Sequence, residues 1–86
     1  MNKIRRKALA DVIAKLEEME SLKQEAMEML QEIMDEEQEA YDNLPESLQY
    51  SERGEQMQEY IDSMQSVYDE MDTVDVESWT DGLGEI

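Results

Sequence analysis

Tyr41-Asp42-Asn43-Leu44-Pro45-Glu46-Ser47-Leu48-Gln49-Tyr50-Ser51-Glu52 decides the fold, because it sets the only proline of the chain between two helical patterns of unequal length. Proline cannot donate an amide within a helix and disfavours helical geometry at the residue before it, so a helix arriving from upstream ends at Asn43-Leu44. Upstream, the apolar residues are Leu9, Val12, Ile13, Leu16, Met19, Ala26, Met27, Leu30, Ile33, Met34, Ala40, Tyr41 and Leu44. Downstream they are Met57, Tyr60, Ile61, Met64, Val67, Tyr68, Met71 and Val74. Both series step by three and four, the helical period, and fill the a, d and e positions of a heptad. The expected fold is all-α: a long-short helical hairpin that pairs into an antiparallel coiled-coil-like bundle.

The hairpin spans residues 1–72. Its long helix covers about residues 3–43, free of glycine and proline and rich in strong helix formers, with Asn2 as N-cap. The bend takes residues 44–51, where Pro45 opens one short turn and Leu48 and Tyr50 fold inward as a lid. Ser51 caps the second helix, about residues 52–72, and Glu52 suits its dipole. Gly54 is either a weak first turn or a place where two backbones come close. Lys23 and Glu37 stand on a positions, where their stems pack and their heads reach water, or where they set register by pairing.

Residues 73–86 form an acidic C-terminal tail in which Asp75, Glu77, Asp81 and Glu85 alternate with Val74, Val76, Trp79, Leu83 and Ile86, and Gly82 and Gly84 oppose a long helix. Such an end frays or, since it carries the only tryptophan, docks.

The arms do not match. At about 1.5 Å per residue the first is roughly 60 Å long and the second roughly 30 Å. Leu9, Val12, Ile13, Leu16 and Met19 therefore lack a partner helix, at roughly 7–15 kcal/mol of unrealised burial for the five. Either the tail runs back along them or two chains pair as an antiparallel homodimer through these five residues. Charge favours pairing. The first fifteen residues carry five cations against one acid, +4, and the other 71 carry two cations against 23 acids, −21, within a net −17. In an antiparallel pair Lys3, Arg5, Arg6 and Lys7 face Asp35, Glu36, Glu37 and Glu39. Such pairs are individually weak but select orientation.

The same composition closes off chemistry. With no cysteine and no histidine, the chain lacks a disulfide, a thiol nucleophile and the usual general base near neutral pH. A thin hairpin offers little concavity for paired carboxyl groups, so no enzymatic activity, cofactor or metal is expected. Glu32, Asp35, Glu36 and Glu39 share a helix surface, which holds a divalent ion loosely at most. Asp69, Asp72, Asp75 and Glu77 lack the Asp-x-Asp-x-Asp-Gly core of a calcium loop. The methionines fall mostly on the seam and read as core, although soft surfaces of this kind also bind helices. No apolar run is long enough to span a membrane, and the basic N-terminus leads into a charged amphipathic helix, so a soluble cytoplasmic protein is expected. An acidic body repels nucleic acid and anionic lipid and attracts basic surfaces. Its carboxylates either keep a small bundle soluble or imitate phosphates in a basic groove.

Glu36-Glu37-Gln38-Glu39-Ala40-Tyr41-Asp42-Asn43-Leu44-Pro45-Glu46-Ser47-Leu48-Gln49-Tyr50-Ser51-Glu52-Arg53-Gly54-Glu55 resembles a segment of small acidic helical proteins of bacteriophages and prophages, through its Asn-Leu-Pro-Glu-Ser-Leu-Gln and Ser-Glu-Arg-Gly-Glu signatures. The resemblance implies a phage accessory protein in the cytoplasm of a bacterial host and carries over no catalytic residue. With the charge, it implies inhibition of a host defence or nucleic-acid-binding protein that presents a basic surface. Glu32, Asp35, Glu36, Glu39, Asp69, Asp72 and Asp75 would be the acidic binding surface, with Trp79 as anchor. The alternatives are a self-assembling structural or scaffold factor in phage development and a metal-dependent sensor or enzyme.

Overall fold

The computed structural model describes residues 1–86 and contains four helices: α1 (Lys3–Asp42), α2 (Glu46–Gln49), α3 (Glu52–Asp72) and α4 (Val76–Gly84). It is all-α, a helical hairpin with a long first arm. Two compact units divide it, residues 26–73 and residues 1–25 with 74–86, and α1 supplies a stretch to each.

In the unit of residues 26–73, the seam follows from the heptad. With Leu9 and Met57 as position a, the e residues Met27 and Met34 are only 3% exposed, and the a residues Leu30, Met57, Met64 and Met71 are half-buried with Ile61 and Tyr68 at e. Met34 and Met27 fill the hairpin core with unbranched side chains that adapt to the facing arm. Glu37, at an a position here, is half-buried.

The bend is built by a glutamine rather than by its apolar residues. Pro45 is the N-cap of α2, and its carbonyl accepts from Leu48 N and Gln49 N at 2.8 and 3.1 Å. The side chain of Gln49 donates to the carbonyls of Tyr41 and Leu44 at 3.2 and 3.3 Å; the Tyr41 carbonyl also accepts from Leu44 N at 3.0 Å, so the glutamine takes its second lone pair. The expected lid is not formed: Leu48 is exposed and Tyr50 is 77% exposed. A single turn of helix can point only one of three successive side chains inward, and the carbonyls at the end of α1 select Gln49. Ser51 holds the N-cap position of α3 but makes no side-chain cap; its hydroxyl donates to the Leu48 carbonyl instead. Gly54 is buried, and a Cβ there would strike the Gln49 carbonyl oxygen and lie 2.7 Å from that of Leu48. This glycine lets the first turn of α3 pass directly against the backbone of α2.

In the other unit the C-terminal segment, expected either to fray or to dock, forms a helix over Val76–Gly84. Asp75 is the N-cap of α4: its Oδ1 accepts from Ser78 N at 3.1 Å, and Ser78 Oγ donates to the Asp75 carbonyl at 2.9 Å. The cap nucleates a helix that tolerates Gly82 and lasts to Gly84. Val76, 2% exposed, is the fully buried residue of this unit, and Thr80 and Leu83 follow it at helical spacing, half-buried. Leu83, Gly84 and Ile86 line a shallow groove with Arg6, Leu9 and Ile13 of α1. Leu9, Ile13 and Leu16, expected to lack a partner within the chain, are half-buried in this unit.

Asn2 caps α1, with Arg5 N donating to its Oδ1 at 2.8 Å. Lys23 departs from the expectation of a solvated head. Its Nζ donates to the Val74 carbonyl at 2.8 Å and lies 3.2 Å from Glu20 Oε2, an ion pair whose angle falls short of a hydrogen bond.

Candidate interaction surface

The two flanks of the hairpin seam differ in chemistry. Viewed down a helix, d and b lie on opposite sides of the a/e centre, each about 80° from it at 100° per residue. Both arms turn a and e inward, and they run antiparallel, so their d residues emerge on one flank and their b residues on the other. In residues 26–73 the d flank carries Ile33, Tyr60 and Val67, exposed by 51%, 52% and 50%, with Ala26 and Ala40 between them. The b flank carries Gln31, Gln38, Gln58 and Gln65. Three of the nearby glutamine side chains tie down acids one turn on: Gln31 to Asp35, Gln38 to Asp42 and Gln65 to Asp69, at 2.9, 3.0 and 2.9 Å. Water therefore meets an apolar strip on one side of the hairpin and an amide ladder on the other.

In the unit of residues 1–25 and 74–86, the d residues Val12 and Met19 are exposed, while Leu9 and Leu16 at a and Ile13 at e are half-buried. The five residues assigned to an interface thus divide by heptad position: two are open, and three pack within their own unit. Leu22 and Met29, at g beside the d strip, are also open.

The seven carboxylates singled out in the sequence are all exposed. They do not form one patch. Glu32, Asp35, Glu36 and Glu39 occupy the outward c, f and g positions of α1, and Asp69 occupies the outward f position of α3, so these two sets point away from the seam in opposite directions. Asp72 sits on the b flank, and Asp75 is committed to its cap. No three acids converge to hold a metal ion. Trp79 is 48% exposed on α4.

Only two ion pairs form, Lys15–Glu18 at 3.4 Å and Lys23–Glu20 at 3.2 Å. Lys3, Arg5, Arg6 and Lys7 have no acidic partner within the chain. Glu20 titrates away from its ordinary value. Gln24 Nε2 donates to its Oε1 at 3.0 Å, and with Lys23 beside it the carboxyl is held below its usual range, against opposing contributions from partial desolvation and Asp75.

Sequence reasoning missed two contributors, Gln49 and the Asp75 cap. The first leaves no periodic signal. The second had one, an aspartate directly before Val76-Glu77, which the glycines outweighed. No helix is long and apolar enough to cross a membrane. Compared with family models, curated proteins and solved structures, the chain finds no match.

Proposed function

We propose that this chain is a non-enzymatic phage accessory protein that binds and inhibits a host bacterial protein, of the defence or nucleic-acid-binding kind, through its acidic helical surfaces. One observation carries the reading: of 24 acidic side chains, only two are neutralised by an ion pair within the chain. The rest remain free to meet a basic surface. Carboxylates held on two rigid helices lose little freedom on binding, and released counterions favour association as they do for nucleic acid. The outward sets on α1 and α3 would each contact basic side chains, and Trp79 supplies an aromatic anchor.

The test is affinity capture from the bacterial host, followed by plating of phage on strains that carry single defence systems. The reading expects one host protein to co-purify, plating to be restored by expression of this chain, and complex formation to weaken with salt. Neither capture nor rescue across a broad panel would reject it. Nucleic-acid mimicry in particular requires competition with DNA or RNA for the same groove; a ternary complex would reject that mechanism. A second reading, a self-assembling structural factor, is favoured by the open apolar d strip and expects the chain within particles or assembly intermediates.

A further inference from the structure

We infer that the open d flank of residues 26–73 is the seat of one cationic amphipathic helix of the bound protein, its apolar face on the strip and its lysines and arginines over the acids along the strip's edges. The inference rests on the reading of this chain as a binder of basic proteins and names the element it takes. Every residue of the strip belongs to one unit. Ile33, Tyr60 and Val67 stand half open to water, and Ala26 and Ala40, also exposed, leave low ground on either side of Ile33. Both arms contribute, so the strip is two helices wide. Met29, at g on the same flank, is 65% exposed and offers an unbranched side chain that adapts to what it meets. The opposite flank does not suit an apolar guest: Gln31, Gln38 and Gln58 lie there half-buried, and their amides call for polar partners.

Charge selects the occupant. Residues 26–73 hold fifteen acids against one cation, Arg53, a formal −14, and neither ion pair of the chain lies among them. Moving outward from d, a helix surface passes through g and then c. On α1 these positions carry Glu36, then Glu32 and Glu39; on α3 they carry Glu70, then Glu59, and all five are exposed. The apolar strip thus runs between two acidic edges. A second copy of this unit laid on the strip would bring another −14 against the first, with Arg53 alone to offset it, and an acidic or uncharged helix would leave the edges without partners. A helix with apolar residues at every third and fourth position, flanked by lysine and arginine, meets both surfaces at once. The stems of those side chains extend the apolar contact while their heads reach the carboxylates.

The experiment is calorimetric titration of the full chain with a synthetic peptide of about 18 residues, roughly 27 Å of helix, made of leucine and lysine with leucine at every third and fourth position. Two control peptides accompany it, one of the same composition with the leucines scattered, the other with glutamate in place of lysine. The expected result is one patterned peptide bound per chain, with each control weaker by about tenfold or more, and NMR shifts at the amides of residues 33, 60 and 67 larger than at those of residues 31, 58 and 65. Ile33→Asp separates docking from plain charge attraction. It adds an acid to the strip, so an electrostatic contact would hold or tighten, whereas docking predicts binding weaker by about tenfold or more. Gln58→Glu adds the same charge to the other flank and should bind as the native chain does. A scattered peptide that binds as tightly, or binding indifferent to Ile33→Asp, overturns the inference. Should Ile33→Asp lose its helical circular dichroism, the NMR footprint on the native chain decides, and a footprint on residues 31, 58 and 65 overturns it. Sedimentation equilibrium of the chain alone supplies the last arm: a dimer that Ile33→Asp dissolves would give the strip to a second copy and overturn it too. No host protein enters these titrations. Host capture without peptide binding rejects the docked helix and leaves the inhibitor reading standing; peptide binding without host capture or rescue does the reverse.

Discussion

Each unit shields the a and e positions of its own stretch of α1, and the means differ. In residues 26–73 the cover is α3, a 21-residue arm that repeats the heptad and leaves Met27 and Met34 buried. In residues 1–25 and 74–86 the helix that accompanies α1 is α4, nine residues long, started by the Asp75 cap, with Val76 as its buried residue and Lys23 tied to the Val74 carbonyl. One unit rests on repeated apolar contacts, the other on a few directed hydrogen bonds around one valine. Periodic burial tolerates the loss of any single polar group. A capped short helix depends on its cap, because a helix of this length does not persist by propensity alone.

Substitutions break that contrast in order of size. Met34→Ala, in the periodic core, is expected to cost about 2–5 kcal/mol, read by urea unfolding. A loss under 1 kcal/mol would mean that the seam is loosely packed. Gly54→Ala tests the close pass of α3 against α2. Helix propensity alone predicts a gain of about 1 kcal/mol, whereas overpacking against two carbonyls predicts a net loss of about 1–3 kcal/mol. A stabilised variant would disprove the contact. Asp75→Ala is expected to cost about 0.5–2 kcal/mol, confined to one unit. Hydrogen exchange should quicken at the amides of residues 78–84 and stay unchanged at those of residues 57–71, and uniform quickening would erase the distinction drawn between the units.

The smallest effect is on pH. The Glu20 carboxyl is held below its ordinary value, chiefly by Gln24 and then by Lys23, so its contribution is present above the unfolded-state value and fades as pH falls through the lower folded one. The informative quantity is therefore the difference between the native chain and Glu20→Gln, followed by thermal melts from pH 7 to pH 2. That difference should shrink on acidification, and a difference constant with pH would remove Glu20 from the network.

Much of the fold was legible in residues that repeat. The apolar stripes mark both long helices, and Pro45 marks the bend between them. What escaped was non-periodic. Gln49 is a polar side chain between Leu48 and Tyr50, and hydropathy assigns those neighbours to the interior, while the carbonyls of Tyr41 and Leu44 at the end of α1 determine which of the three turns in. In α4 the two glycines argue for a break, but each weakens a helix by only about 1 kcal/mol, and the aspartate cap with Val76 burial offsets that. Of the candidate surface, the types of residue were legible and their grouping was not. Heptad letters alone treat a, d and e alike. The structure turns a and e inward and leaves d open, and this splits the interface residues Leu9, Val12, Ile13, Leu16 and Met19 between two roles.

That split is most directly tested with the methionine methyl groups, observed by NMR in dilute protein with a soluble paramagnetic agent added. The methyls of Met27 and Met34 should be shielded, and those of Met19 and Met29 strongly relaxed. Equal relaxation of all four would contradict an arrangement in which α1 hides one edge of its apolar face within the chain and presents the other.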